Sequence, residues 1–343
     1  MQTITSSVVN FASLEAMKSY CIPSAARSTF QLVNSLAAYI AGWFLMLWLV
    51  DINYGLALIA AIPVSGFLVR LFIIFHDCGH GSFFRSRRAN AIVGSIIGVL
   101  TFTPYDGWRR RHAQHHANTG KLVDDRSVGT ILTLTVKEYQ ALTPWRRFLY
   151  RVYRHPLIQF GAGAIFHIVI GQRFPQQVPL SWRHIERRSV FWTDFFIVAG
   201  SVAVALLVGW RQFLLVQLPI MAVSAIVGNW LFFVQHNFEN AYWQDVRDWD
   251  YHEASLFGSS HYDLPVVLRW FTGNIGFHHV HHLNSRIPNY RLKECLDENP
   301  DLQTAPRFGF WTSLRCAVLA LWDEDRGVLV RFRDLDAAGS KIA

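Results

Sequence analysis

The chain is short of charge and has no paired cysteines. Only 16% of its 343 residues are Asp, Glu, Lys or Arg, against about 25% in an average soluble domain. With 52% hydrophobic and 15% aromatic residues, a membrane protein is the class that composition leaves. The four cysteines, Cys21, Cys78, Cys295 and Cys316, form no Cys-x-x-Cys pair. That spacing gives no support to the usual cysteine-containing zinc sites, and reduced, non-ligating thiols are the expected state. Also missing are a Gly-rich phosphate loop, a repeat of solenoid period and a low-complexity tail. The first thirty residues hold no continuous apolar core after a basic start, so a cleaved signal peptide is not expected. The formal charge of +8 does not call for nucleic acid. The basic residues follow apolar runs and mix with tryptophan, as in Trp108-Arg109-Arg110-Arg111 and Trp145-Arg146-Arg147, a pattern suited to anionic headgroups.

What is present begins with four apolar runs, 31–50, 54–75, 190–210 and 213–234, each long enough to cross a bilayer at about 1.5 Å per residue. Only Asp51-Ile52-Asn53 separates the first pair and only Arg211-Gln212 the second, so each pair is expected to be a helical hairpin. The fold class expected is therefore an all-α integral membrane protein, one domain over 1–343, with inserts 76–189 and 235–343 on a single face. Apart from Arg211 in a turn and Arg70 inside a span, every Lys and Arg lies on that face. The positive-inside rule puts it, with both termini, in the cytoplasm. Two shorter runs, 89–102 and 157–171, have the length of interfacial segments.

Histidine is concentrated on the same face. His76-Asp77-Cys78-Gly79-His80, His112-Ala113-Gln114-His115-His116 and His278-His279-Val280-His281-His282 hold nine of the fifteen histidines. His76 and His80 share a helix face, about 6 Å apart along the axis. His236, two residues past the fourth run, is the counterpart of His76 past the second. Leaving out His279, which breaks the spacing, the candidate ligands are His76, His80, His112, His115, His116, His236, His278, His281 and His282. Nine imidazoles exceed octahedral coordination, so two metals fit the count. Spacing leaves the element open, because imidazole suits zinc, copper, iron and nickel. The four long runs contain no histidine, which speaks against a haem cytochrome and against a transporter with ligands at the bilayer midplane.

The order His-x3-His, His-x2-His-His, His-x2-His-His along four spans resembles the membrane fatty acid desaturase family. Phe233-Val234-Gln235-His236-Asn237-Phe238-Glu239, Gly258-Ser259-Ser260-His261-Tyr262 and the segment from Phe271-Thr272-Gly273-Asn274 to Ile275-Gly276-Phe277 are similar to bacterial and cyanobacterial acyl-lipid desaturases. The likeness covers roughly 67–295. It implies a histidine-bound pair of non-haem Fe ions in a bacterial inner membrane. There O2 and two electrons would remove two hydrogens from an unactivated acyl chain, of a membrane lipid or an acyl thioester, leaving a cis double bond and two waters. It also implies an apolar tunnel that places the target carbon and excludes water. Some relatives carry a fused haem domain with His-Pro-Gly-Gly, but here His155-Pro156 is followed by Leu157. The resemblance thus implies a separate, ferredoxin-like donor, steered by the basic face. A hydroxylase or ketolase of the same superfamily, acting on an alkane, a fatty acyl group or a carotenoid, is the alternative reading.

Asp77, Asp106, Asp124, Asp125, Asp248, Asp250 and Glu239 are candidate acceptors for imidazole N–H groups. His155, His167, His184, His252 and His261 lie outside the clusters and are expected to be structural or to face headgroups. Arg70 is expected to snorkel to the interface, Asp194 to lie at it, and Asn229 to bond either a ligand water or another helix.

Overall fold

The computed structural model describes residues 11–122 and 131–339. Four long helices, Ala25–Ile52, Tyr54–His80, Arg183–Val208 and Trp210–Val234, are apolar enough to cross a membrane. At 25 to 28 residues each they reach about 38–42 Å, more than the roughly 30 Å of hydrocarbon in a bilayer. The excess length carries polar residues: the first histidine cluster on the second helix, and Arg183 to Arg188 on the third. Asn53 ends the first helix and caps the second, its side chain accepting from the Gly55 N–H at 2.8 Å.

The second long helix is the core of the bundle. Its Val64, Leu68, Leu71 and Phe75 pack with Tyr39, Trp43 and Met46 of the first, Ala205 of the third, and Val216, Ile220 and Met221 of the fourth. The outward faces keep Phe44, Trp48, Ile62, Phe195 and Leu207 exposed, the surface a lipid-facing helix presents.

Both shorter apolar runs are helical. Arg87–Leu100 packs against the second and third long helices. The other forms a π-helical turn, Leu157–Ala162, continued by Gly163–Val169, and sets Phe160 against Trp230 and Phe233 of the fourth. An all-helical reading did not anticipate the three small sheets among the described residues, one of them the parallel pairing of His261–Asp263 with Arg307–Gly309. Strands of two or three residues are too short for a period-two pattern to register.

Two expectations are corrected by packing. Arg70 does not snorkel. It is 8% exposed, its Nε donates to Ser35 Oγ at 3.1 Å, its guanidinium donates to the Trp270 carbonyl, and it lies 4.1 Å from the Trp270 ring centre. The short helix Val266–Phe271 lies against the second long helix at Gly66, Phe67 and Arg70. Its carbonyl end, the negative end of a helix dipole, meets the cation. Nor is Trp108-Arg109-Arg110-Arg111 a headgroup patch throughout: Trp108 turns inward onto Phe75, and Arg111 pairs with the buried Glu186. Asp194, near the start of the third apolar run, forms an ion pair with Arg173, which leaves its expected interfacial place unchanged.

Candidate metal centre

Each histidine cluster sits on a short stretch of helix aimed at the same point. His76 and His80 end the second long helix, His112, His115 and His116 lie on Tyr105–Asn118, and His278, His281 and His282 on His278–Leu283. His236 follows directly on the fourth long helix. Two local features allow this approach. Gly79 leaves room for Trp108, whose Cζ3 would stand 2.9 Å from an added Cβ; the indole then stacks on His112 at 4.4 Å. Ahead of the third cluster, Gly273 and Asn274 adopt φ of 53° and 60°. A Cβ at Gly273 would also press to 2.9 Å from Ile73 Cγ2, so the turn wedges against the second helix just below His76.

The nine histidines gather as two groups: His76, His80, His112, His116 and His281, and separately His115, His236, His278 and His282, with the nitrogens of each group within 4.8 Å of one another. The sequence clusters are not the structural units. Successive residues on a helix point about 100° apart, so His115-His116 and His281-His282 each send one ring to each group.

The contacts within the groups suit metal ions. Nε2 of His236 lies 3.0 Å from that of His115 and 2.9 Å from that of His278, and Nε2 of His116 lies 3.2 Å from that of His112 and 3.1 Å from that of His281. Two imidazoles bonded at about 2.0–2.1 Å to one divalent ion would set their nitrogens about 2.9 Å apart at right angles and about 3.4 Å apart in a tetrahedron. Nε2 of His76 and of His80 is buried with no hydrogen-bond partner, which is how a lone pair kept for a metal stands. Burial first, and neighbouring imidazoles second, push His112, His116, His278, His281 and His282 well below the ordinary histidine range. Burial brings His236 to about 4. These rings are neutral at physiological pH, the form that binds metal.

Asp77 supports the site from behind. Its Oδ1 lies 3.1 Å from His76 Nδ1, and its Oδ2 accepts from the Asn289 backbone N–H at 2.7 Å and the Asn289 amide at 2.8 Å. The other proposed acceptors stand elsewhere: Asp106 faces Arg109, Asp250 caps the helix Tyr251–Phe257, Asp248 and Glu239 are exposed, and Asp124 and Asp125 lie outside the described residues. Asn289 and Gln31 were not among the sequence candidates. The signal that could have found Gln31 is the polar stripe Ser28, Gln31, Ser35 on an apolar helix.

His279 belongs to neither group. It is buried, its ring 5.8 Å from that of the buried His261. His155, His184 and His252 are exposed, and His167 contacts Gln172 at 2.9 Å. No cysteine joins either group, and Cys295 and Cys316, unpaired, are pushed up to about 12 by burial.

Two cavities meet the histidines. One, of about 760 Å³, is lined by Leu68, Val69, Phe72, Met221, Ala225 and Leu231 and reaches His76, His112 and His278, so it touches both groups. Asn229 lines it while bonding the Gln159 carbonyl at 2.8 Å, a contact between helices. The other, of about 750 Å³, is mixed in lining, with Gln114, Asn118, Arg183 and Arg187 beside Val178 and Phe232, and reaches His115 and His236.

The family profile described as fatty acid desaturase matches residues 52–312. A "Fatty acid desaturase" of Bacillus subtilis (strain 168) is 43% identical over 91% of this chain and 87% of its own length. Two Synechocystis proteins are more distant. The "sn-1 acyl-lipid omega-3 desaturase (ferredoxin)" is 26% identical over 77% of this chain and 69% of its own length, and the "sn-1 oleoyl-lipid 12-desaturase" is 28% identical over 66% and 63%. With a profile spanning most of the sequence and a relative of that identity along nearly its whole length, the chain belongs to the fatty acid desaturase family.

Proposed function

We propose that this protein introduces a cis double bond into an acyl chain of a membrane lipid, using two irons held by His76, His80, His112, His116 and His281 and by His115, His236, His278 and His282. The observation that carries the reading is the apolar cavity that touches both histidine groups. Bound iron would supply dioxygen activation, which the unreactive C–H bonds of a methylene require and acid–base groups cannot offer. The chain's own share is placement. Leu68, Val69 and Phe72 of the second long helix and Met221, Ala225 and Leu231 of the fourth take up the hydrocarbon and hold one stretch of it beside the histidines.

Two helical hairpins with their turns outside, and a cytoplasmic cap carrying the histidines, follow from the basic residues on that face. The substrate then enters from the bilayer and the electrons from the cytoplasm. A ferredoxin-like donor suits the net charge of +8, and the Synechocystis omega-3 relative carries ferredoxin in its name.

The test is expression in a host that lacks polyunsaturated lipids, followed by fatty acid profiling with localisation of the double bond. A new unsaturated species that disappears with His112→Ala is expected. An unchanged profile in the presence of iron, oxygen and a competent donor overturns desaturation, and a product with one added oxygen selects the hydroxylase or ketolase reading.

A further inference from the structure

Behind the metal centre runs a chain of buried amides that ends on one imidazole. Gln31 Nε2, on the first long helix, donates to Asn289 Oδ1 at 2.9 Å. Asn289 donates twice to Asp77 Oδ2, from its backbone at 2.7 Å and its side chain at 2.8 Å, and Asp77 Oδ1 faces His76 Nδ1 at 3.1 Å. All four residues are buried, none more than 4% exposed. We propose that Asn289, with its amide set by Gln31, is a positioning residue that acts through Asp77 to hold His76 as a metal ligand. The proposal rests on the reading of the histidines as metal ligands.

The direction of the chain carries the argument. A side-chain amide has one donor end and one acceptor end. Gln31 donates to Asn289 Oδ1 and so turns the Asn289 NH2 towards Asp77; the opposite flip would set an amide oxygen against a carboxylate oxygen. With Oδ2 occupied by two N–H groups, Oδ1 is left to accept from His76 Nδ1. That fixes the proton on Nδ1 and leaves the Nε2 lone pair facing the five-histidine group. The backbone around Asn289 is itself anchored, since Asn274 Nδ2 donates to the Asn289 carbonyl at 3.1 Å.

The chain ends on the five-histidine group, and the matching position in the four-histidine group is held differently. His236 Nδ1 lies 3.1 Å from the backbone carbonyl of Gly258, which no side-chain substitution removes. The molecule therefore contains its own control: a defect in the relay weakens one metal position and spares the other.

The experiment uses the full chain, purified, stripped with a chelator and titrated with Fe(II) without oxygen. Co(II) serves as a second, spectroscopic probe. Wild type is expected to bind two equivalents. In Asn289→Ala one equivalent should bind as in wild type while the other weakens by about 10–100-fold, the range for loss of a group supporting a metal ligand. The Co(II) spectrum should change for that position alone. Gln31→Ala, remote from the metal, should show the same selectivity with a smaller loss, and it carries the test if Asn289→Ala does not fold. Unchanged affinity, or equal weakening of both positions, overturns the relay. A wild-type chain that binds no metal overturns the metal reading itself.

Discussion

His76 and His236 are held alike at the ends of the second and fourth long helices. Each turns Nδ1 to an oxygen 3.1 Å away, the Asp77 carboxylate for His76 and the Gly258 carbonyl for His236. Each therefore presents Nε2 to its own group of histidines, so one solution for fixing a tautomer is used twice, once for each proposed metal.

Adjacent residues should fail differently. His281 lies in the five-histidine group and His282 in the four-histidine group. His281→Ala and His282→Ala are each expected to abolish the unsaturated product, but by weakening different metal positions. Metal analysis together with Co(II) spectra of the two variants reads this out, and identical spectra would refute the partition.

The cavity makes a separate demand. Gly228 and Ala225 line it from the fourth long helix, and a Cβ added at Gly228 meets no atom within 4 Å. Gly228→Leu or Ala225→Phe should fill the space for hydrocarbon and lower turnover by about a hundredfold, the scale of a misplaced reacting carbon. Bound metal should stay as in wild type. Product assays beside iron content check this, and full activity in both variants would show that the acyl chain lies elsewhere.

Arg70 depends on Trp270 for its place inside the bundle. Trp270→Ala removes the ring 4.1 Å from the guanidinium, a contact worth up to about 2 kcal/mol when desolvated. Arg70→Lys cannot keep both the Ser35 and the Trp270 carbonyl contacts, because an ammonium lacks the planar fork. Both variants should melt at lower temperature in detergent. Unaltered melting would mean that the arginine finds water.

Acid should destabilise the fold in part through His261. Burial, as the largest cause, lowers this imidazole to about 4 from an ordinary value of 6.5. Between those values the unfolded chain takes up the proton and the folded chain does not, so stability rises with pH across that window. The contribution is full above about pH 6.5 and is lost as pH falls towards 4. Melting temperatures of wild type and His261→Gln between pH 7 and 4 should diverge, with the variant less sensitive. Parallel curves would assign the acid sensitivity to other groups.

How much of this could be read from the sequence differs by feature. The long helices and the positions of the histidine clusters are local facts. An apolar run declares a helix through its own length, and His-x3-His shares a face by helical period alone. The inward turn of Arg70 was not legible, because its partner Trp270 stands 200 residues away and a lone cation near a helix end is ordinarily solvated. Asn289 was equally silent: one polar residue seven places beyond His282 carries no pattern.

The sequence by itself thus determined the class of protein, the four apolar helices and the nine imidazoles, because hydrophobic length and helical spacing act within one segment. Only the tertiary structure decided that those imidazoles divide five and four, that His76 is backed by Asp77 and Asn289, and that one apolar cavity touches both groups. Each of these depends on helices distant in the chain meeting at one point, and the packing that joins them has no local signature.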